Sequence, residues 1–98
     1  MIFRLSISQD AKLDILSAFL WYEEQREGLG FRFELSIEAC LQKITSNPNA
    51  FQSRYADVHV HFIARFPYGI HYIVEKDEVK VIGVFHSSRV PINWTERL

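Results

Sequence analysis

A chain of 98 residues, 48% apolar and 23% charged, with four Gly and three Pro, is long enough for one modest core. That profile excludes a disordered or low-complexity segment, and it leaves no room for a two-domain enzyme with its own cofactor fold. The net charge of −1 argues against a protein held to nucleic acid by bulk charge. Residues 1–47 carry five basic and seven acidic side chains; residues 48–98 carry six and five, and all four histidines.

The whole of residues 1–98 reads as a single domain. Cys40 is the one cysteine, so no intramolecular disulfide forms, which suits a reducing compartment. No run reaches the ~18 apolar residues of a membrane span, and the opening residues do not read as a signal peptide. The expectation is a cytoplasmic protein that does not engage a membrane.

In chain order, residues 2–7 alternate as a strand, with Phe3, Leu5 and Ile7 as the cleaner apolar face. Ser8 is placed to cap a helix, with Asp10 in its first turn. Ala11, Ile15, Phe19 and Tyr22 recur at helical spacing, with Leu16 and Leu20 widening the stripe. The run from Glu23 to Glu27 reads as solvated, and Gly28-Leu29-Gly30 as a turn. In a second helix Phe33, Ile37, Cys40, Leu41 and Ile44 form the apolar face, and Asn47-Pro48 ends it. A connection this short makes the two helices an antiparallel hairpin.

Beyond Pro48 the period falls to two. Residues 58–65 alternate, with Val58, Val60, Phe62 and Ala64 on one face and His59, His61, Ile63 and Arg65 on the other. Phe66-Pro67-Tyr68-Gly69 reads as a turn. Residues 70–75 and 79–86 read as a hairpin, with Ile70, Tyr72 and Val74 facing Val79, Val81 and Phe85. The order strand–helix–helix–strand–strand–strand predicts an α+β, two-layer sandwich with the helical hairpin on one face of a mostly antiparallel sheet. The opposite face is expected to gather His59, His61, Arg65, His71 and His86.

Four segments carry a family resemblance: Trp21-Tyr22-Glu23-Glu24-Gln25-Arg26-Glu27-Gly28-Leu29-Gly30-Phe31-Arg32-Phe33, residues 44–51, Arg65-Phe66-Pro67-Tyr68-Gly69-Ile70-His71-Tyr72, and Val84-Phe85-His86-Ser87-Ser88-Arg89. In combination and order they resemble the RelE/ParE superfamily, toxins of bacterial type II toxin–antitoxin systems. The resemblance implies the same element order and a cognate antitoxin whose C-terminal segment wraps and neutralises the toxin. Its RelE-like branch implies metal-independent cleavage of mRNA on the ribosome, performed on the concave sheet face by basic residues. Its ParE-like, plasmid-stabilisation branch implies inhibition of DNA gyrase. The Trp21–Gln25 and Arg65–Tyr68 segments and the low net charge lean towards the second. The alternatives are the endoribonuclease and a folded but inactive member.

Metal-free RNA cleavage needs a base, cations for the developing phosphorane charge and an acid for the leaving oxygen. Arg65, His86 and Arg89 are the candidates for those roles; Arg65 reads equally as an anchor for an acidic antitoxin tail. Trp21, Tyr68, His59, His61 and His71 are candidate partner contacts, Trp21 because it lies off the apolar stripe and Tyr68 because it falls in an exposed turn. Tyr22, Tyr72 and Cys40 are expected in the core. His59 and His61 stand two apart, a spacing that can hold a metal. No cysteine or carboxylate accompanies them at a fixed interval, so no metal or cofactor is expected.

Overall fold

The computed structural model describes residues 3–50, 53–55, 57–88 and 97. The chain runs β1 (Arg4–Ile7), α1 (Gln9–Gln25), α2 (Leu29–Ser46), a 3-10 turn (Pro48–Ala50), β2 (Ser53–Tyr55), β3 (Val58–Phe62), β4 (Tyr68–Glu75) and β5 (Glu78–His86). The sheet order is β1-β5-β4-β3-β2; β1 is parallel to β5 and the other pairs are antiparallel. This is the expected α+β arrangement, with a short fifth strand, β2, that the alternation did not reveal.

The helix boundaries follow local chemistry. The Ser8 hydroxyl accepts from the Ala11 amide at 3.1 Å and caps α1, with Asp10 in the first turn. α2 ends at Asn47, whose amide bonds the Lys43 carbonyl, immediately before Pro48. At the hairpin turn Glu23 departs from the solvated reading. Its carboxylate accepts from the amides of Gly28 and Gly30 at 2.8 and 2.9 Å. An acid from the last turn of α1 therefore caps the first turn of α2, where unpaired N–H groups and the helix dipole favour negative charge. Gly30 belongs to α2 rather than to a loop. A Cβ there would lie 2.7 Å from the Phe19 carbonyl, so glycine sets how closely the two helices approach.

Between helices and sheet the core gathers Ala11, Ala18, Phe33, Ile37, Cys40, Ile44, Ile63, Ile70, Tyr72, Val79, Val81 and Val84. The α2 stripe is as expected. On α1 the buried positions are Ala11 and Ala18, while Leu16 and Leu20 are half exposed on the solvent side. Leu5 is also exposed, at the margin of the edge strand β1. The Tyr72 hydroxyl donates to the Pro48 carbonyl at 2.8 Å, fixing the end of α2 against the sheet centre.

Strand facing departs from strict alternation in two places. Cross-strand partners share a face, and His59 pairs with Tyr72 and His61 with Ile70, so His59, His61 and Ile63 look towards the helices. Val58 and Val60 are buried on the far side. On β5 the register shifts: Tyr72 pairs with Val81 but His71 with Gly83, which leaves Ile82 as an extra residue. This bulge reverses the alternation beyond it. Val84 and His86 face the helices, and Phe85 faces away, opposite to the expectation. The histidines therefore divide between the faces, with His71 alone on the far side.

Replacing Glu23 with Ala should lower stability by about 1–2 kcal/mol, since two part-buried helix-terminal amides lose a charged acceptor. Urea unfolding monitored by circular dichroism should show the drop, and Glu24→Ala, on an exposed side chain, should not.

Candidate functional site

Two grooves flank the central aromatic packing at one end of the sheet. There Tyr22 meets Phe66 and Tyr68 with ring centroids 4.9 and 6.1 Å apart, and Phe33 meets the same two rings at 5.4 and 5.3 Å. Tyr22 and Tyr68 wall one groove and Phe66 the other. Tyr68 is thus not in an exposed turn: it opens β4 and packs half-buried against the core. Tyr22 is half-buried, and burial raises its phenol pKa.

The first groove, of about 680 Å³, lies between α1 and β5. β1 pairs only with Glu78–Val81, so the outer edge of β5 continues past it without a strand partner among the described residues. Side chains occupy that edge. Asp14 of α1 accepts from the Val84 amide at 3.0 Å, and Arg97 donates to the Ile82 carbonyl at 3.2 Å. Arg97 also binds Asp14 directly, Nη1 to Oδ2 at 2.6 Å, and lies 4.8 Å from the centre of the Phe85 ring. Gly83 leaves the space that Phe85 and Arg97 fill, since a Cβ there would sit 2.5 Å from the ring and 2.9 Å from Nη1.

Trp21 lines this groove with 55% of its surface exposed and its ring edge-on to Tyr22. His86 lines it too, in edge contact with Tyr68 at 5.3 Å. The Ser88 amide donates to His86 Nδ1 at 3.1 Å, so the neutral ring carries its proton on Nε2.

The second groove, of about 670 Å³, lies between α2 and the end of β3 and includes Arg65 and His61. Arg65 adopts φ 71°, a left-handed conformation costly for a side chain with a Cβ. Burial lowers the His61 pKa, with nearby Lys43 adding to the effect. Cys40 lies beneath, its thiol pushed up to about 11 by burial, which makes it a core hydrophobe rather than a nucleophile. Tyr72 is pushed up to about 12 by burial. His59 stacks on its ring at 5.2 Å.

The candidate residues are thus only partly brought together. Arg65 and His86 share one end of the sheet but line different grooves. His59 and His61 lie on the helix side rather than on the far face. His71 lies on that face, buried edge-on against Phe85 at 4.8 Å. Burial holds its pKa down to about 4; Asp14 pulls it up and Arg97 down, both more weakly. Arg89 lies outside the described residues. No cluster of three or more His, Cys, Asp or Glu gathers among the described residues, and none of their helices is long and apolar enough to cross a membrane. Sequence reading missed Asp14 and Arg97, which act only once α1, the bulge and residue 97 meet. Asp14 did carry one signal, as an acid on the flank of an apolar helical stripe.

A family model described as the ParE toxin of the type II toxin–antitoxin system parDE matches residues 5–91. The chain belongs to the ParE toxin family. Membership implies an antitoxin partner. The solved structure of a chromosomal ParDE toxin–antitoxin system from P. aeruginosa shares the fold, with a TM-score of 0.76 at 13% identity over 87% of this chain and 96% of that one. No curated protein matches. The ParE family model spans Asp14, both grooves' strands and the bulge, and ends before Arg97.

Two outcomes follow for this ParE-family chain. Asp14→Ala should destabilise it by about 2 kcal/mol, and Asp14→Asn by less, because the amide oxygen still accepts from Val84; urea midpoints give both values. His71 is held neutral in the fold, so the unfolded chain binds the extra proton between about pH 6.5 and 4. Its contribution is full above pH 6.5 and falls as pH drops through that window, by about 2–3 kcal/mol. Between pH 7 and pH 4.5, wild type should lose more stability than His71→Phe.

Proposed function

We propose that this ParE-family toxin arrests bacterial growth by binding and inhibiting DNA gyrase, without chemistry of its own, and that its antitoxin neutralises it in the cytoplasm. A role in plasmid stabilisation belongs to the same reading. The observation that carries it is the dispersal of the nuclease candidates. Arg65 and His86 open into separate grooves with Tyr22, Phe66 and Tyr68 packed between them. On the far sheet face, which buries Val58, Val60 and Ile82, burial holds the His71 pKa near 4 and the neighbouring Arg97 is tied to Asp14. Among the described residues that face therefore does not offer a substrate both a cation and a base that titrates near neutrality. Phosphoryl chemistry needs those groups on one substrate atom. The net charge of −1 also favours a protein target over an RNA one.

One observation favours the ribosome-dependent endoribonuclease as a second reading. His86 is oriented through Nδ1 by Ser88, which leaves Nε2–H as a positioned proton donor at the same sheet end as Arg65.

Purified toxin at micromolar concentration should block DNA supercoiling by gyrase, and His86→Ala should still arrest growth on induction. Intact supercoiling, with new mRNA ends at the ribosomal A site that disappear in His86→Ala, would replace this reading with the nuclease.

A further inference from the structure

We propose that the solvent face of α1 is the interface of a homodimer, in which the α1 helices of two copies of this chain pack antiparallel. The proposal goes beyond the gyrase reading and does not rest on it. Helix α1 is apolar on both sides. Towards the sheet it presents Ala11, Ile15, Ala18 and Tyr22; away from it Leu13, Leu16 and Leu20 stand 49%, 50% and 52% exposed. A helix at the surface of a single core carries polar side chains on that side, whereas one apolar all round belongs between two layers. Among the described residues only one layer covers α1. The leucines recur at steps of three and four, the narrow seam of a heptad rather than the wider stripe of a core-facing helix. Phe31 of α2, 59% exposed, meets Phe19 edge-on at 5.1 Å and widens the face towards the second helix. Leu13, Leu16, Leu20 and Phe31 together expose roughly 400 Å² of apolar surface, a size at which a patch marks an interaction site. With the polar residues around them the face approaches the roughly 500 Å² per partner that a specific interface needs. None of the four lines either groove.

The chemistry of this face is complementary to itself, as a two-fold contact between identical chains requires. An antiparallel pairing that sets Leu16 against the partner's Leu20 also sets Leu20 against the partner's Leu16. The same register brings Lys12 of each copy level with Glu24 of the other. Lys12 and Glu24 are exposed, and neither forms an ion pair among the described residues. Asp10, near Lys12, stands in the first turn, where it answers the dipole of its own helix. Antiparallel packing also sets the two helix dipoles against each other favourably. A parallel pairing would instead place Lys12 against Lys12 and Glu24 against Glu24, which like charge disfavours. A membrane surface fits less well, since Glu24 and Glu27 are exposed at the end of the leucine seam and anionic headgroups would repel them.

Sedimentation velocity on the full chain, from low micromolar to several hundred micromolar, should show a concentration-dependent shift from one chain mass to two. Leu16→Glu and Leu20→Glu should each leave only monomer. Both side chains are half exposed, and circular dichroism at low concentration, where wild type is monomeric, checks that these variants keep the fold. Lys12→Glu and Glu24→Lys should each weaken dimerisation by at least about fivefold. The double exchange Lys12→Glu/Glu24→Lys should restore it, because each new charge again meets its opposite on the other copy. Leu35→Glu, in the α2/β3 groove, should leave the dimer intact. A chain that is monomeric at every concentration overturns the proposal. So does a dimer insensitive to Leu16→Glu and Leu20→Glu, or one that the double exchange fails to restore. A monomeric wild type whose Leu16→Glu variant no longer captures the antitoxin would assign the face to the antitoxin instead; adsorption of that monomer to anionic vesicles would assign it to a membrane. Gyrase supercoiling, assayed on the same preparations, reports separately on the other reading.

Discussion

The carboxylate of Asp14 is the point on which the arrangement of both layers depends. It sits one helical turn from the buried Ala11 and Ala18, at the flank of α1 nearest β5. There it does what a neighbouring strand would otherwise do, accepting the Val84 amide on an edge that β1 has ceased to cover. By also holding Arg97, it draws a cation onto the Ile82 carbonyl and the Phe85 ring. One side chain thus fixes the helix relative to the bulge, closes the exposed edge and sets the depth of the α1/β5 groove. A charge this poorly hydrated is tolerable because each oxygen has a donor.

The fold was legible in the sequence where periodicity and capping agreed. Ser8, the α2 stripe from Phe33 to Ile44 and Asn47-Pro48 read correctly because each depends on neighbours within a few residues. The sheet faces were not legible, for a physical reason. Val58 and Val60 are buried on the side away from the helices, so this sheet is covered on both faces over much of its area, and alternation then marks pairing without saying which side is the core. The bulge at Ile82 added a one-residue shift that no local pattern announces. Among the candidate residues, Trp21 could be separated from Tyr22 by helical phase alone. The positions of His59 and His61 could not be read without register, and Glu23 looked solvated because its partners are amides contributed by backbone rather than by a charged residue.

The two grooves share one aromatic wall but differ in chemistry. The α1/β5 groove is neutralised internally: its acid and its arginine answer one another, and its exposed aromatic, Trp21, stands at the lip. The α2/β3 groove is lined by Arg32, Lys43 and Arg65, none of which forms an ion pair among the described residues, beside the exposed Leu35. Close packing between Tyr22, Phe33, Phe66 and Tyr68 forms the wall that stands between the two grooves. A ParE-family fold built this way carries two surfaces of opposite character on a single small core.

The parallel pairing of β1 with β5 also has a bearing on when the sheet can close. During translation β1 and α1 emerge before the other strands of this sheet, but the partners of Arg4–Ile7 are Glu78–Val81, which follow both helices and β2, β3 and β4. Until those residues leave the ribosome, Phe3 and Ile7 have no core to enter, and Asp14 has no Val84 amide to hold. Such long-range closure is slow relative to helix formation. A chain that has not yet delivered β4 and β5 therefore holds the helical hairpin without the strands that wall both grooves. The strand order thus ties completion of both grooves to the arrival of β5, the partner of β1 and β4, rather than to the helices that precede it.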